Sequence, residues 1–192
     1  MNLGIFGGSF GPVHRGHYEI VLQILQHAVV DHVYVVPAYQ NPFKESVCPL
    51  NEELRWSMLK ATFDGVGHCS LSDVELKNKN ISYSYKTVEY FSRQYPSDDL
   101  HLVVGADAFA FFHQWKEAEH ILELCRLIVV GRQGANLDLA ASTELAGERM
   151  KWLDLKLPKI SSTEIRNYPI EKLESANWLH PKALEVWLEQ YR

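Results

Sequence analysis

Leu3-Gly4-Ile5-Phe6-Gly7-Gly8-Ser9-Phe10-Gly11-Pro12-Val13-His14-Arg15-Gly16-His17 is the stretch on which the fold turns. A short apolar run ends in paired glycines. It then passes through a proline-containing loop into His17–Ala28, where Ile20, Val21, Ile24, Leu25 and Ala28 recur at helical spacing. A strand feeding directly into a helix is the first half of a βαβ unit.

The same alternation continues along the chain. Leu3–Phe6, Val33–Val36, Ser70–Val74, Leu100–Val104 and Arg126–Val130 are short apolar runs bounded by turn formers, with Trp152–Leu157 as a late addition. Their near-continuous apolar character suits strands covered on both faces. Between them, Glu52–Phe63 carries Leu54, Met58, Leu59 and Phe63 at helical spacing. Further helices are expected at Tyr85–Arg93, Glu117–Leu124, Ser162–Asn167 and Lys182–Tyr191, and Gln133–Arg149 is read as a variable connection. The pattern predicts an α/β fold: a Rossmann-like, doubly wound parallel sheet of five or six strands with helices on both faces.

Composition narrows the function classes. A chain of 192 residues, 46% hydrophobic and 22% charged, is globular and suits one domain spanning residues 1–192. A net charge of −5 without a Lys/Arg cluster excludes broad electrostatic binding to nucleic acid, so any phosphate must be met locally. Cys48, Cys69 and Cys125 are odd in number and widely spaced, fitting neither a disulfide framework nor a CxxC metal site; buried, reduced thiols are expected. No apolar run reaches the length of a membrane span and no signal peptide opens the chain, which points to the cytoplasm.

Two loops carry the chemistry. At the first, Gly7 and Gly8 let the backbone pass close to a nucleotide, together with Ser9 and Phe10, and the helix beyond offers unsatisfied N–H groups to phosphate. His14 and His17, three apart, are placed to donate to that phosphate. Neither GxxxxGK[ST] nor GxGxxG is present, which disfavours an NTPase or an ordinary dehydrogenase. At the second, Ile160-Ser161-Ser162-Thr163-Glu164-Ile165-Arg166 sets hydroxyls and free N–H groups at a helix start, with Arg166 one turn on. In an open α/β sheet both could converge at the carboxyl ends of the strands.

The first loop resembles the GGTFDPxHxGH signature of the HxGH nucleotidyltransferases, with His14-Arg15-Gly16-His17 as the HxGH. It departs at Gly11, where that family usually has Asp or Asn. The second loop resembles the family's ISSTxIR motif at every position. The remainder resembles the bacterial nicotinate mononucleotide adenylyltransferases over nearly the whole chain: Arg55 with Met58, Glu75-Leu76, Ser82 to Val88, Gly105-Ala106-Asp107 and Trp115-Lys116.

The resemblance implies transfer of the adenylyl group of ATP to nicotinate mononucleotide in NAD biosynthesis. Nicotinamide mononucleotide as preferred acceptor, or a non-catalytic nucleotide-binding regulator, are the alternatives. It further implies catalytic roles for His14, His17, Lys44 and Arg166. ATP would lie on Gly7, Gly8, Ser9, Phe10, His14, His17, Gly105, Asp107, Ile160, Ser161, Ser162, Thr163 and Arg166. The acceptor would meet Ser9, Lys44, Ser84, Tyr85, Phe109 and Trp115, with Trp115 stacked on the pyridine ring. Mg²⁺ would come with ATP and pyrophosphate rather than on a protein metal site, and the protein would be a monomer or homodimer.

Overall fold

A computed structural model of the chain describes residues 1–43, 48–131 and 137–190. Six strands, β1 (Asn2–Gly8), β2 (His32–Pro37), β3 (Cys69–Leu71), β4 (Asp99–Gly105), β5 (Arg126–Gly131) and β6 (Met150–Asp154), form one sheet in the order β3-β2-β1-β4-β5-β6. Every neighbouring pair is parallel. The chain reverses its direction of travel across the sheet between β1 and β4, which opens a crevice at the carboxyl ends of those strands.

The helices are α1 (Arg15–Gln26), α2 (Glu52–Phe63), α3 (Val74–Asn78), α4 (Ser84–Gln94), α5 (Ala106–Phe109), α6 (Ala118–Leu124), α7 (Ala140–Ala146), α8 (Ser162–Arg166), α9 (Ile170–Ala176) and α10 (Pro181–Glu189). Strand side chains alternate between two apolar layers. Phe6, Val33, Val35, Val103, Ile128 and Val130 join Ile20, Ile24, Met58, Leu59, Ile165 and Trp187 on one face. Leu3, Ile5, Val36, Leu102, Val104, Leu127 and Val129 join Val88, Phe91, Ile121 and Leu122 on the other. This period-2 division is why the strands read as unbroken apolar runs.

Three expectations need adjusting. The run Ser70–Val74 is strand only at Cys69–Leu71, because the chain turns at Asp73 and Val74 opens α3. The last strand lies earlier than Trp152–Leu157: Met150–Asp154 pairs with Leu127–Gly131, and the chain leaves the edge before Pro158. Within Gln133–Arg149, alanine-rich Ala140–Ala146 is helical, and its buried Ser142 donates to the carbonyl of Ala110 at 3.3 Å. Among the described residues no helix is long and apolar enough to cross a membrane.

Candidate active site

The turn after β1 is shaped by Phe10. Its ring is buried edge-on against Phe6 at 5.5 Å and His17 at 4.9 Å, and its backbone has φ of 43°. The side chain therefore belongs to the core and holds the loop from below. The peptide bond from Gly11 to Pro12 is cis. His14 then caps α1 in extended conformation, and its N–H donates to His17 Nδ1 at 3.2 Å. The two imidazoles stack at 3.7 Å with an interplanar angle of 25°. A Cβ on Gly16 would lie 3.0 Å from His14 Nδ1, so glycine leaves this ring its place over the first turn.

The second motif is bonded to the first. Arg166 Nη1 donates to the carbonyl of Gly11, and Ser162 Oγ donates to the carbonyl of Pro12 at 2.8 Å. Ile160 is buried, within 3.9 Å of where a Gly16 Cβ would stand. Ser161 caps α8 by accepting from Glu164 N–H at 3.2 Å and donates to Glu164 Oε2 at 2.7 Å. Thr163 accepts from Arg166 Nη2 at 3.1 Å, which aims the guanidinium back at the loop. Segments about 150 residues apart are thus joined into one cluster of stacked imidazoles, hydroxyls and a guanidinium, side-chain types that can donate to an anion.

Beside it, at the β1/β4 crevice, lies a cavity of about 410 Å³. Gly7 and Gly8 from β1, Gly105 from β4, Ser84 from α4 and Trp115 all line it. Gly105 caps α5, and Asp107 Oδ1 folds over it, 2.6 Å from where a Cβ would be. Trp115 stands against Phe112 at 5.3 Å and Phe43 at 6.4 Å, leaving a partly exposed ring face on the cavity.

Other expected residues are placed differently. Phe109 is fully buried beside Phe112 and does not line the cavity. Tyr85 is half-buried against the second apolar layer, 6.1 Å from Tyr83, and Tyr83 is the tyrosine on the cavity wall. Lys44 lies outside the described residues.

Several residues that belong to stretches carrying the resemblance, but that were given no role from sequence, take one in the structure. Arg55 is wholly buried, and its Nη1 donates to the carbonyls of Ser9 at 2.8 Å and Ala38 at 2.6 Å, tying the first loop to the end of β2. Burial pulls its pKa down while Cys48 and Glu52 favour the charged form. Its signal was periodicity: Arg55, Met58, Leu59, Thr62 and Phe63 are the buried stripe of α2, and an arginine on such a stripe needs buried acceptors. Glu75 lines the cavity and accepts from Thr87 Oγ1 and Ser82. Desolvation raises its pKa against those two hydrogen bonds. Ser82 Oγ also accepts from the N–H of Tyr39 at 2.9 Å, linking the β2 end to α3 and α4. Lys116 is the one cation among the described lining residues; its ammonium sits 4.9 Å over the Tyr83 ring and 5.8 Å over Tyr85.

Paired anion loops at a parallel-sheet switch point, next to a cavity sized for a nucleotide, define a nucleotide-handling α/β protein. The chain belongs to the cytidylyltransferase-like family, whose model matches residues 5–168. It is 32% identical to a probable nicotinate-nucleotide adenylyltransferase of Clostridium tetani over 97% of this chain and 96% of that one. It is 36% identical to a probable nicotinate-nucleotide adenylyltransferase of Thermotoga sp. strain RQ2 over 85% and 83%. Its fold matches that of Plasmodium falciparum nicotinic acid mononucleotide adenylyltransferase complexed with NaAD, with a TM-score of 0.81 over 99% of this chain and 95% of that one at 19% identity.

Proposed function

We propose that the protein is a nicotinate-nucleotide adenylyltransferase acting in NAD biosynthesis as one nucleotidyltransferase domain in the cytoplasm. It transfers the adenylyl group of ATP to nicotinate mononucleotide and releases pyrophosphate. The observation that supports the reading is the direct bonding of Ser162 and Arg166 to the Gly11–Pro12 carbonyls, which joins the second loop to the first, whose Gly7 and Gly8 line a cavity of nucleotide size.

The acceptor's own phosphate is the nucleophile. With a second pKa near ~6 it is largely ionised at neutral pH, so no general base is needed. Its oxygen bonds to the α-phosphorus of ATP as the bond to the bridging oxygen breaks and pyrophosphate leaves. His14, His17 and Arg166 neutralise the charge that builds on the transferred phosphate and the leaving group, and Lys44 completes this set. Gly7, Gly8, Gly105 and Asp107 receive the adenosine. Ser161, Ser162 and Thr163 present donors to the terminal phosphates.

Among the described residues there is no group of three or more His, Cys, Asp or Glu that could hold a metal ion. Mg²⁺ would come with ATP and pyrophosphate and would supply charge neutralisation at their phosphates. Trp115 and Tyr83 offer aromatic faces to the pyridinium ring, and Lys116 suits a carboxylate on that ring better than an amide.

The test is pyrophosphate release with ATP and Mg²⁺ in the presence of nicotinate mononucleotide, nicotinamide mononucleotide or phosphopantetheine in turn. Strong preference for the first is expected. Preference for either of the others would overturn the substrate assignment, and ATP binding without turnover would make the protein a nucleotide-binding regulator.

A further inference from the structure

The resemblance places Phe10 on ATP, yet its ring is buried against Phe6 and His17, so a contact with phosphate is left to its backbone N–H. That backbone lies in the left-handed region with φ of 43°, a conformation that a bulky residue keeps only where its surroundings impose it. The core holds the ring. The preceding peptide group is held by Arg55, whose Nη1 donates to the carbonyl of Ser9 at 2.8 Å. In a trans peptide the carbonyl and the N–H that follows it point in opposite directions. A Ser9 carbonyl drawn to Arg55 therefore turns the Phe10 N–H away from Arg55. Among the described residues that N–H has no hydrogen-bond partner.

Arg55 is a costly residue in this place. It is wholly buried, and its Nε and Nη2 have no hydrogen-bond partner among the described residues. Position 11 of the loop offers it no side chain: a Cβ there would stand 3.9 Å from Arg55 Cδ, and Cys48 Sγ fills that volume. A buried, partly bonded cation contributes no more to stability than a well-packed apolar side chain of similar volume. Packing thus does not account for the arginine. What it adds is the pair of bonds from Nη1 to the carbonyls of Ser9 and Ala38, at 2.8 and 2.6 Å. The Ala38 N–H in turn donates to the Gly8 carbonyl at 2.8 Å, and both Gly8 and Ala38 line the cavity. One guanidinium nitrogen fixes the backbone just beyond β1 and β2, where the cavity and the first loop meet.

We propose that Arg55 is a positioning residue for adenylyl transfer: it holds the Ser9 carbonyl so that the Phe10 N–H is presented to the transferred phosphate. The role rests on the adenylyltransferase reading above. Arg55 touches no substrate and moves no proton. It sets the donor in place before charge builds on the phosphate, so that no reorganisation is needed as the reaction proceeds.

The test compares Arg55→Met and Arg55→Lys with wild type. Methionine keeps an unbranched side chain and removes both bonds; lysine keeps a cation with three donors for the two carbonyls. Arg55→Met should unfold in urea at a midpoint no lower than wild type. It should bind ATP within about threefold of wild type by calorimetry, while its single-turnover rate of pyrophosphate release with nicotinate mononucleotide falls by about tenfold or more. Arg55→Lys should recover most of that rate. A wild-type rate in Arg55→Met would overturn the role. So would a midpoint that falls with the rate, or an Arg55→Lys no faster than Arg55→Met, because Arg55 would then serve the fold alone. Wild-type protein that binds ATP but releases pyrophosphate with none of the three acceptors would overturn the reading itself, and the role with it.

Discussion

On one side of the cleft, the loop Gly11–His17 and Ser161–Arg166 meet through side chain to backbone bonds at Gly11 and Pro12, and each motif is contiguous in sequence. On the other side, the cavity wall that would take the adenosine and the acceptor is assembled from the ends of β1 and β4, the chain beyond β2, α3, the start of α4, α5 and the loop before α6, each giving one to four residues. On the proposed function, the first side is a cradle for a substituent that every nucleotide carries. The acceptor side is a set of separately adjustable positions, where substrate choice can change without disturbing the cradle.

The largest expected effect lies in the cradle. Replacing His17 with Ala would remove the proposed donor to the transferred phosphate while leaving the other proposed ATP contacts in place. Turnover should fall on the order of 10²–10³-fold, with a much smaller change in ATP affinity. Single-turnover rates and calorimetry separate the two. A fall in affinity matching the fall in turnover would make His17 a ground-state binding residue and blur the distinction between the two sides.

Next in size is Gly11→Ala. The new methyl group meets Cys48 Sγ, and overpacking of this kind costs about 1–3 kcal/mol. Urea unfolding measures it. In a Cys48→Ala background the same substitution should cost much less, because the two changes occupy one volume. Equal costs in both backgrounds would mean that the loop, not the thiol, rejects the side chain.

This contrast also explains what the sequence made legible. The sheet and its switch point followed from strand runs whose alternate side chains fill opposite layers, and both anion loops were contiguous motifs. Tyr83, Lys116 and Glu75 acquire their roles only once α3, α4 and the loop before α6 converge, and no local pattern encodes that convergence. Phe10 and Phe109 lie within two residues of the lining residues Gly8 and Ala108 yet turn into the core, because a loop or helix end sends nearby side chains in different directions. Gly11 was visible as a departure, but its meaning lay in Cys48, 37 positions along the chain.

On the acceptor side, Lys116→Gln should change selectivity more than rate. The lysine is exposed at the cavity mouth, where one ion pair is worth up to about 1 kcal/mol. The ratio of kcat/KM for nicotinate over nicotinamide mononucleotide should therefore drop about fivefold, and the wild-type ratio should shrink with added salt. An unchanged ratio would move carboxylate recognition to backbone N–H groups near Ser84 and Trp115.

The smallest effect tests whether the acceptor wall has a stiff element of its own. The carboxyl of Glu75 has its pKa raised by burial despite the hydroxyls of Thr87 and Ser82, so the folded protein holds that proton more tightly than the unfolded chain does. Its contribution to stability is fully present below the ordinary glutamate range and is lost as pH rises through the raised value. Glu75→Gln abolishes this dependence while still accepting from Thr87 or Ser82. Urea midpoints from about pH 4 to pH 8 should show wild type losing ground to Glu75→Gln as pH increases. Parallel curves would mean that Glu75 titrates alike folded and unfolded. The Ser82–Thr87 segment would then lack a buried anchor, and the acceptor wall would be adjustable throughout.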